Sequence, residues 1–177
     1  MNEPMFGSDA TAAEPSLIAP RGLAEIIAAF GDIHGYIQPG GSLSPRWQAD
    51  YLASVTLPFS MRLSWDHAQS VSRMTCHKRL TAIFSDVFAQ VQMNGLEPKV
   101  SSFGGCFGFR QQRTGSKLST HCWGIAIDLN PETNQQGAAG DMDPGLIQIF
   151  RGAGFEWGGD WPQPIRDPMH FQFCSGY

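Results

Sequence analysis

Residues 119–128 read Ser-Thr-His-Cys-Trp-Gly-Ile-Ala-Ile-Asp, and residues 167–173 read Asp-Pro-Met-His-Phe-Gln-Phe. Between them, these segments place His121, Asp128 and His170 in a pattern typical of metal ligands. Two histidines and one carboxylate give a zinc ion three protein ligands and leave a fourth position for water. That open position distinguishes a catalytic zinc site from a closed structural one. The two segments therefore predict a catalytic centre with one zinc ion per chain.

Strand geometry indicates how the two segments present these side chains. Neighbouring side chains on a strand point to opposite faces, so His121 and Asp128, an odd number of positions apart, cannot share a face of one regular strand. Gly124 offers a break, with His121 on the loop that enters the strand and Asp128 on the strand itself. In the second segment the phenylalanines are expected to point inward. This leaves His170 and Gln172 on the active face.

Asp167, three residues before His170, is the candidate general base. A carboxylate beside a zinc-activated water can take its proton and pass it to a leaving amine. Trp157 and Trp161 lie on a Gly-rich stretch just before Asp167, where they either pack or line the cleft. Asp160 on the same stretch is either a partner that orients a ligand histidine or an ordinary surface carboxylate.

The pattern SxHxxGxAxD followed by DxxHFQ resembles the D-alanyl-D-alanine carboxypeptidases and the phage L-alanyl-D-glutamate endolysins, which share a fold with the Hedgehog signalling domain. The resemblance covers roughly residues 76–173. It implies a zinc peptidase that acts on the stem peptide of bacterial peptidoglycan, with the three ligands above and Asp167 as base. Many relatives carry Glu at the base position. The Asp found here resembles the residue of the endolysin branch.

The resemblance also implies residues that contact the substrate. Gly108-Phe109-Arg110 is similar to a Gly-Tyr/Phe-Arg segment of the family whose Arg faces the substrate, and Arg113 is the alternative. Either guanidinium would pair with a substrate carboxylate or a developing oxyanion. Further candidates for substrate contacts are Ser119, Gln172 and Trp161.

Composition bears on the remaining classes of function. The chain has 177 residues, 42% of them apolar, which suits one packed domain. With a net charge of -4 and three lysines, Lys78, Lys99 and Lys117, it lacks the clustered cations of a nucleic-acid surface. No apolar run approaches the roughly 20 residues of a membrane span, and the N-terminus lacks a secretory signal. We expect a monomer made in the cytoplasm that reaches the wall after release or by phage delivery.

Local patterns predict an α+β domain with a small antiparallel sheet that carries the metal site and packs against helices. The sheet is expected to be antiparallel because most connections are too short for crossover helices. Residues 1–20 are predicted to form a flexible arm. A single peptidase domain follows at 21–177, with a helical and loop part at 21–74 and the catalytic core at 75–177. The predicted helices span 21–30, 75–94 and 144–152, the last capped by Asp143, and the predicted strands span 99–103, 107–110, 124–129 and 170–173.

The four cysteines, Cys76, Cys106, Cys122 and Cys174, show no CxxC spacing. They are either buried thiols or include a disulfide. A structural His/Cys zinc cluster is disfavoured because His170 and Cys174 would be about 13 Å apart on an extended strand.

Three functions remain open: a peptidase, a zinc-containing wall-binding module without turnover, and a phage structural component that carries this domain as a wall-opening tool. Asp167 argues against a pure binding module, which needs no base. Among peptidases, two features favour cleavage between L-Ala and D-Glu. The absence of a secretory signal suits a lytic enzyme that is released late, and Asp at the base position resembles the endolysins. Removal of the terminal D-Ala by a carboxypeptidase is the alternative for the same site.

Overall fold

The computed structural model describes residues 17–113 and 115–177, which form four α-helices and two antiparallel sheets. The first sheet is a hairpin of β1 and β2, and the second has the strand order β3-β4-β6-β5. This architecture confirms the predicted α+β class. The helices are α1 (Gly22–Phe30), α2 (Pro45–Tyr51), α3 (Thr81–Met93) and α4 (Pro144–Gly152), and the strands are β1 (Leu52–Arg62), β2 (Ser70–His77), β3 (Phe103–Gly105), β4 (Ala126–Leu129), β5 (Glu156–Trp157) and β6 (His170–Gln172).

The two central strands of the second sheet, β4 and β6, run antiparallel. Their register sets Asp128 opposite His170 and Ala126 opposite Gln172. Every residue of both strands is buried. On the other side of β4, Gly104 of β3 lies so close that a Cβ there would approach the Asp128 Cβ to 2.9 Å. The sheet thus brings a carboxylate and a histidine from neighbouring strands together.

A single 3₁₀ turn, Thr120–Trp123, leads into β4. Ser119 caps its start, where Oγ accepts a hydrogen bond from the His121 N–H at 3.4 Å. The turn ends at Gly124, whose φ of +67° lies in the left-handed region that glycine adopts readily. A Cβ at Gly124 would also lie 2.8 Å from the backbone nitrogen of His77. The predicted break at Gly124, with His121 ahead of the strand, is confirmed.

Two buried indoles join the N-terminal helices to this turn. Trp47 of α2 donates its Nε1–H to the carbonyl of Cys122 at 3.1 Å. In the reverse direction, Trp123 donates its Nε1–H to the carbonyl of Gly31, just after α1, at 2.9 Å. Both rings are fully buried, so each hydrogen bond satisfies a donor that would otherwise be costly to bury.

Helix α4 packs on the second sheet. Phe150 stacks on Phe171 of β6 with ring centroids 4.3 Å apart, and Phe88 of α3 meets Phe150 edge to face. Asp143 caps α4 as predicted, because its Oδ1 accepts a hydrogen bond from the Gly145 N–H at 2.8 Å. The predicted helices 21–30 and 144–152 and the predicted strands 124–129 and 170–173 are confirmed to within one or two residues at their ends.

The prediction of only helix and loop for residues 21–74 is wrong, because most of the β1–β2 hairpin lies there. The predicted helix 75–94 also begins too early, since residues 75–77 complete β2 and α3 starts at Thr81. The alternation of β1 is hidden in the sequence by an irregularity between Thr56 and Met61 that shifts the register. Pairing across the hairpin, more than local preference, decides these strands.

Two predicted strands are also wrong. Residues 97–99 form a 3₁₀ turn, and β3 covers only Phe103–Gly105. Residues 107–110, all of them described, form no strand; instead, the Gly108 N–H donates to the His121 carbonyl at 3.2 Å. Apolar residues favour a strand in both places. However, residues 99–102 and 107–110 are not paired with any strand of the described sheets.

Of the predicted arm, residues 1–20, the first sixteen positions lie outside the described residues. Residues 17–20 lie beside the C-terminal end of the chain, where the Ser175 N–H donates to the carbonyl of Pro20 at 2.9 Å. Among the described residues, no helix has the length and apolar character to cross a membrane.

Replacing Gly124 by alanine should destabilise the protein, because a Cβ there meets the His77 backbone and the positive φ is strained. We expect Gly124→Ala to lower the free energy of unfolding by about 1–2 kcal/mol or more. Gly35→Ala is the matched control, since a Cβ at Gly35 has nothing within 4 Å. Urea denaturation of both variants measures the difference, and equal stabilities would contradict the role of Gly124.

Candidate active site

The side chains of His121, Asp128 and His170 converge at the end of the second sheet. His121 Nε2 lies 3.1 Å from Asp128 Oδ1 and 3.2 Å from His170 Nδ1, and His170 Nδ1 lies 3.0 Å from the same carboxylate oxygen. All three residues are buried, and their ligand atoms are close enough together to hold one metal ion. Within the described part of the chain, this cluster contains no cysteine.

Hydrogen bonds to the other ring nitrogens show that this cluster fits zinc. The Nδ1 of His121 lies 2.8 Å from the carbonyl of Cys106, and the Nε2 of His170 lies 3.1 Å from Gln172 Oε1. Because both of these oxygens accept, each of the two nitrogens carries a proton. His121 Nε2 and His170 Nδ1 are therefore the nitrogens left to bind a metal, and both face the Asp128 oxygen, where protons take the place of the cation in the metal-free protein. Three electron-pair donors turned towards each other are the arrangement that a divalent cation stabilises.

The electrostatics of the cluster keep Asp128 ionised. Burial alone would raise the pKa of its carboxyl, but the charges and hydrogen bonds of His121 and His170 hold that pKa well below its usual value. For His170, burial alone would lower the pKa, but the hydrogen bond and charge of Asp128 raise it overall. The carboxylate is therefore ready to ligate a cation, and binding a metal must displace any proton shared with His170.

Asp167 lies beside the cluster with an unpaired carboxyl oxygen. Among residues 17–113 and 115–177, its Oδ1 is the one buried side-chain nitrogen or oxygen without a hydrogen-bond partner. Burial raises the pKa of this carboxyl to about 6, although His170 opposes the shift. A carboxyl with a free oxygen and a pKa near neutrality suits proton transfer.

Gly158 allows Asp167 to take this position. The Asp167 N–H donates to the Gly158 carbonyl at 2.9 Å, and a Cβ on Gly158 would lie 2.5 Å from the carbonyl oxygen of Asp167. Such a contact is shorter than van der Waals packing allows, so only glycine fits here without a backbone shift.

The larger of two cavities at the cluster has a volume of about 680 Å³. His170, Asp167 and Gln172 contribute to its lining, so a ligand in this cavity would meet the cluster and the unpaired carboxyl together. Three cations also line it: Arg110, Arg113 and Lys117. The larger cavity therefore suits a ligand with carboxylate groups.

The smaller cavity, of about 240 Å³, has His121 and Asp128 in its lining. Arg110 lines both cavities, and its Nη2 lies 3.8 Å from Asp128 Oδ2. The guanidinium thus lies beside the candidate metal cluster, and Arg110 contributes to both cavities. Of the two candidate arginines, Arg113 lines only the larger cavity.

The other predicted substrate residues have distinct surroundings. Trp161 lines the larger cavity, with its ring centroid 5.4 Å from that of His170. Gln172 also lines it, but the Oε1 of its side chain already accepts from His170. Ser119 lines this cavity as well, although its hydroxyl caps the turn that carries His121. Their contacts with a substrate stay a prediction.

Neighbouring residues of the Gly-rich stretch have packing roles. Trp157 donates its Nε1–H to the Pro168 carbonyl at 2.7 Å and does not line either cavity. Asp160 forms an ion pair with Arg151 on the surface. It is therefore a surface carboxylate, which was one of the two interpretations of this residue.

Sequence reasoning missed several groups that hold the ligands in place. The carbonyl of Cys106 orients His121, but a backbone group leaves no signal in the residue type. Thr120 donates its hydroxyl to Gln172 Oε1 at 3.1 Å and so steadies the group that orients His170. Its place directly before His121 in the motif was the available signal.

The four cysteines are free and buried. Burial raises the pKa of Cys76 to about 12 and that of Cys106 well above its usual value. Buried thiols of this kind are poor nucleophiles at neutral pH. This agrees with the interpretation as buried thiols and not with a disulfide.

Comparison with known families places these residues in context. Residues 112–173 match a family model described as D-alanyl-D-alanine carboxypeptidase. The matched range contains His121, Asp128, Asp167 and His170, whereas Arg110 lies just outside it. The match supports a metallopeptidase of this type, and peptidases of this family are zinc-dependent. No curated protein matches the chain.

Removing any of the three ligands should reduce zinc binding. We expect His121→Ala, Asp128→Ala and His170→Ala each to weaken affinity by more than the roughly 10–100-fold that follows loss of a residue that merely orients a ligand. His34→Ala, at an exposed histidine bonded to Asp32, is the matched control and should keep one zinc per chain. Zinc titration of the metal-free proteins measures this, and unchanged affinity in His170→Ala would contradict the site.

The unpaired carboxyl of Asp167 should destabilise the metal-free protein at neutral pH. Its folded pKa of about 6 exceeds the unfolded value, so stability from this group is lost as pH rises from about 4 through 6. We expect Asp167→Asn to raise the free energy of unfolding at pH 7.5 by about 1–2 kcal/mol, a figure reduced for partial exposure. At pH 4 the gain should largely vanish.

Urea denaturation of the metal-free wild type and of Asp167→Asn at both pH values tests this expectation. Asp86→Asn, which changes an exposed carboxyl on α3, is the matched control. A loss of stability at pH 7.5 in Asp167→Asn would show that the carboxylate makes a favourable contact in the folded protein.

Proposed function

We propose that the protein is a zinc-dependent peptidase that hydrolyses the stem peptides of bacterial peptidoglycan. The observation that carries this proposal is the convergence of three ligand atoms beside the unpaired carboxyl of Asp167. The family match over residues 112–173 supports the same substrate class. Asp167 favours an enzyme over a wall-binding module without turnover, because binding alone gives no reason to keep an unpaired carboxyl beside the cluster.

The candidate ligands and Asp167 have different roles in the proposed hydrolysis. Zinc held by His121, Asp128 and His170 would supply a Lewis acid that polarises the scissile carbonyl and activates water near neutral pH. Asp167 takes a proton from the attacking water on Oδ1 and delivers it to the nitrogen of the leaving amine. The proton count balances, since water contributes a hydroxyl group to the new carboxyl and a proton to the new amine.

Arg110 is proposed to stabilise negative charge in this reaction. Its guanidinium lies beside Asp128 and lines both cavities, so it can meet the carbonyl oxygen of the scissile bond or a nearby carboxylate. Arg113 and Lys117 are placed to pair with carboxylates of the stem peptide in the larger cavity. Trp161 can pack against its apolar parts.

Two bonds of the stem peptide fit this site. The description of the matched family favours release of the terminal D-Ala, and we propose this reaction first. Cleavage between L-Ala and D-Glu, which the sequence favours, is the second candidate. The presence of two cavities, each lined by part of the cluster, supports it, because an endopeptidase needs space for peptide on both sides of the scissile bond.

The setting of this activity is also a proposal. We propose that the protein acts as a monomer and binds no nucleic acid. Its net charge of -4 and few lysines are unsuited to contacts with a phosphate backbone. Access to the wall would follow release from the cell or delivery by a phage particle.

Digestion of purified sacculi by the zinc-loaded protein, followed by mass spectrometry, tests the proposal. We expect free D-Ala and stem peptides shortened by one residue, because the matched family model is described as D-alanyl-D-alanine carboxypeptidase. New N-terminal D-Glu would instead identify the endopeptidase, with the same metal site and base.

Asp167→Asn serves as the control in this digestion. It should keep its zinc, since Asp167 is not a ligand, and release product about 10²–10⁴-fold more slowly. If the wild type releases neither free D-Ala nor fragments with N-terminal D-Glu, or if Asp167→Asn forms product at the wild-type rate, the proposed mechanism is wrong.

A further inference from the structure

The smaller cavity has a wall that the metal site does not explain. Three glycines, Gly104, Gly105 and Gly108, leave this part of the lining without side chains, and Phe107 adds an apolar surface. The wall is completed by Trp65, which lies between β1 and β2 at the tip of the hairpin. An indole from a distant part of the sequence thus stands next to the metal cluster.

Trp65 is unusual in its exposure. Its side chain is 64% exposed, whereas the two largest rings of the core, Trp47 and Trp123, are fully buried. A large exposed aromatic ring beside a cavity is typical of a surface that packs against a ligand. Since solvent covers most of this ring, a substrate in the cavity could bury it.

The tip of the hairpin is attached to the sheet that carries Asp128. The Ser64 N–H donates to the Phe103 carbonyl of β3 at 3.1 Å, and the Trp65 and Phe103 rings lie 6.3 Å apart. A second attachment joins His67 Nε2 to Glu132 Oε1 at 3.0 Å, just beyond β4. Trp65 is therefore held at a defined distance from the metal cluster rather than on a free loop.

Size and charge limit what the smaller cavity can accept. Its volume of about 240 Å³ is below the roughly 300–1,000 Å³ of pockets for drug-sized ligands, so it fits one small residue. Apart from the metal-binding cluster, Arg110 supplies the charge in its lining. A small apolar side chain with a carboxylate matches this combination, and a terminal alanine has both.

We propose that Trp65 is a specificity-determining residue that closes the smaller cavity around the terminal D-Ala of the stem peptide. Its ring packs on the methyl group, and Arg110 pairs with the terminal carboxylate. The ring also excludes larger side chains from the same space. This inference rests on the proposed carboxypeptidase activity and assigns the residue that selects its leaving group.

The test compares two synthetic stem pentapeptides, one ending in D-Ala and the other in D-Leu, with zinc-loaded wild type, Trp65→Ala and Trp65→Phe. In Trp65→Ala we expect KM for the D-Ala peptide to rise about tenfold, while kcat changes little. The preference for D-Ala over D-Leu, as a ratio of kcat/KM, should fall at least about tenfold, because the enlarged cavity admits the bulkier residue. For Trp65→Phe, both KM and selectivity should lie between the values of wild type and Trp65→Ala.

Met93→Ala is the matched control, because it removes an exposed apolar side chain (82% exposed) from α3 and should leave both constants unchanged. Zinc content and melting temperature check that each variant is folded. If Trp65→Ala fails to fold, Trp65→Phe and Trp65→Leu carry the same comparison of selectivity.

Two failures are distinguishable. If wild type releases D-Ala and every folded Trp65 variant keeps the wild-type KM and selectivity, the assignment of Trp65 is overturned while the proposed activity stands. If wild type releases no terminal residue from either peptide, the carboxypeptidase activity is overturned, and the assignment of Trp65 falls with it.

Discussion

The pairing of β4 with β6 is the constraint on which the rest of the site depends. It sets Asp128 directly opposite His170, so two ligands come from neighbouring strands without any flexible connection between them. A register shift of one residue would turn one of them to the opposite face of the sheet. His121 cannot come from the same strand face and instead arrives on the turn that ends at Gly124. Burial on both sides of the sheet makes such a slip costly, and the geometry of the candidate ligands is therefore fixed by the core.

The polar groups at the end of this sheet are satisfied unequally. Both histidines have their outer nitrogens bonded to oxygens, and Asp128 lies between them. Asp167, in contrast, keeps a buried oxygen without a hydrogen-bond partner in the described structure. An unpaired buried oxygen costs free energy in the resting protein and is available to any proton donor that enters the cleft. The two histidines and Asp128 are therefore fixed in place by hydrogen bonds, whereas Asp167 is suited to change its protonation state.

The segments that carry the candidate metal ligands were predictable because their pattern of side chains is local. The alternation at 125–128 and at 170–173 and the glycine at 124 specify which side chains share a face, whatever the rest of the chain does. The β1–β2 hairpin was not predictable in this way. Its register shifts between Thr56 and Met61, and its end at 75–77 continues into an apolar pattern of helical spacing. Trp65 illustrates the consequence, since its position beside Asp128 follows from contacts between strands far apart in the sequence.

The two indole hydrogen bonds that cross between the halves of the chain bear on how this protein could be divided. Trp47 and Trp123 each donate to a carbonyl in the other half, and both bonds meet at the turn that carries His121. A fragment limited to residues 112–173 would keep every ligand yet lose the acceptor of one indole and the donor to Cys122. The matched segment therefore relies on residues outside it for two of its buried hydrogen bonds. The turn that positions the candidate ligand His121 and the segment with α1 and α2 therefore stabilise each other through these two bonds.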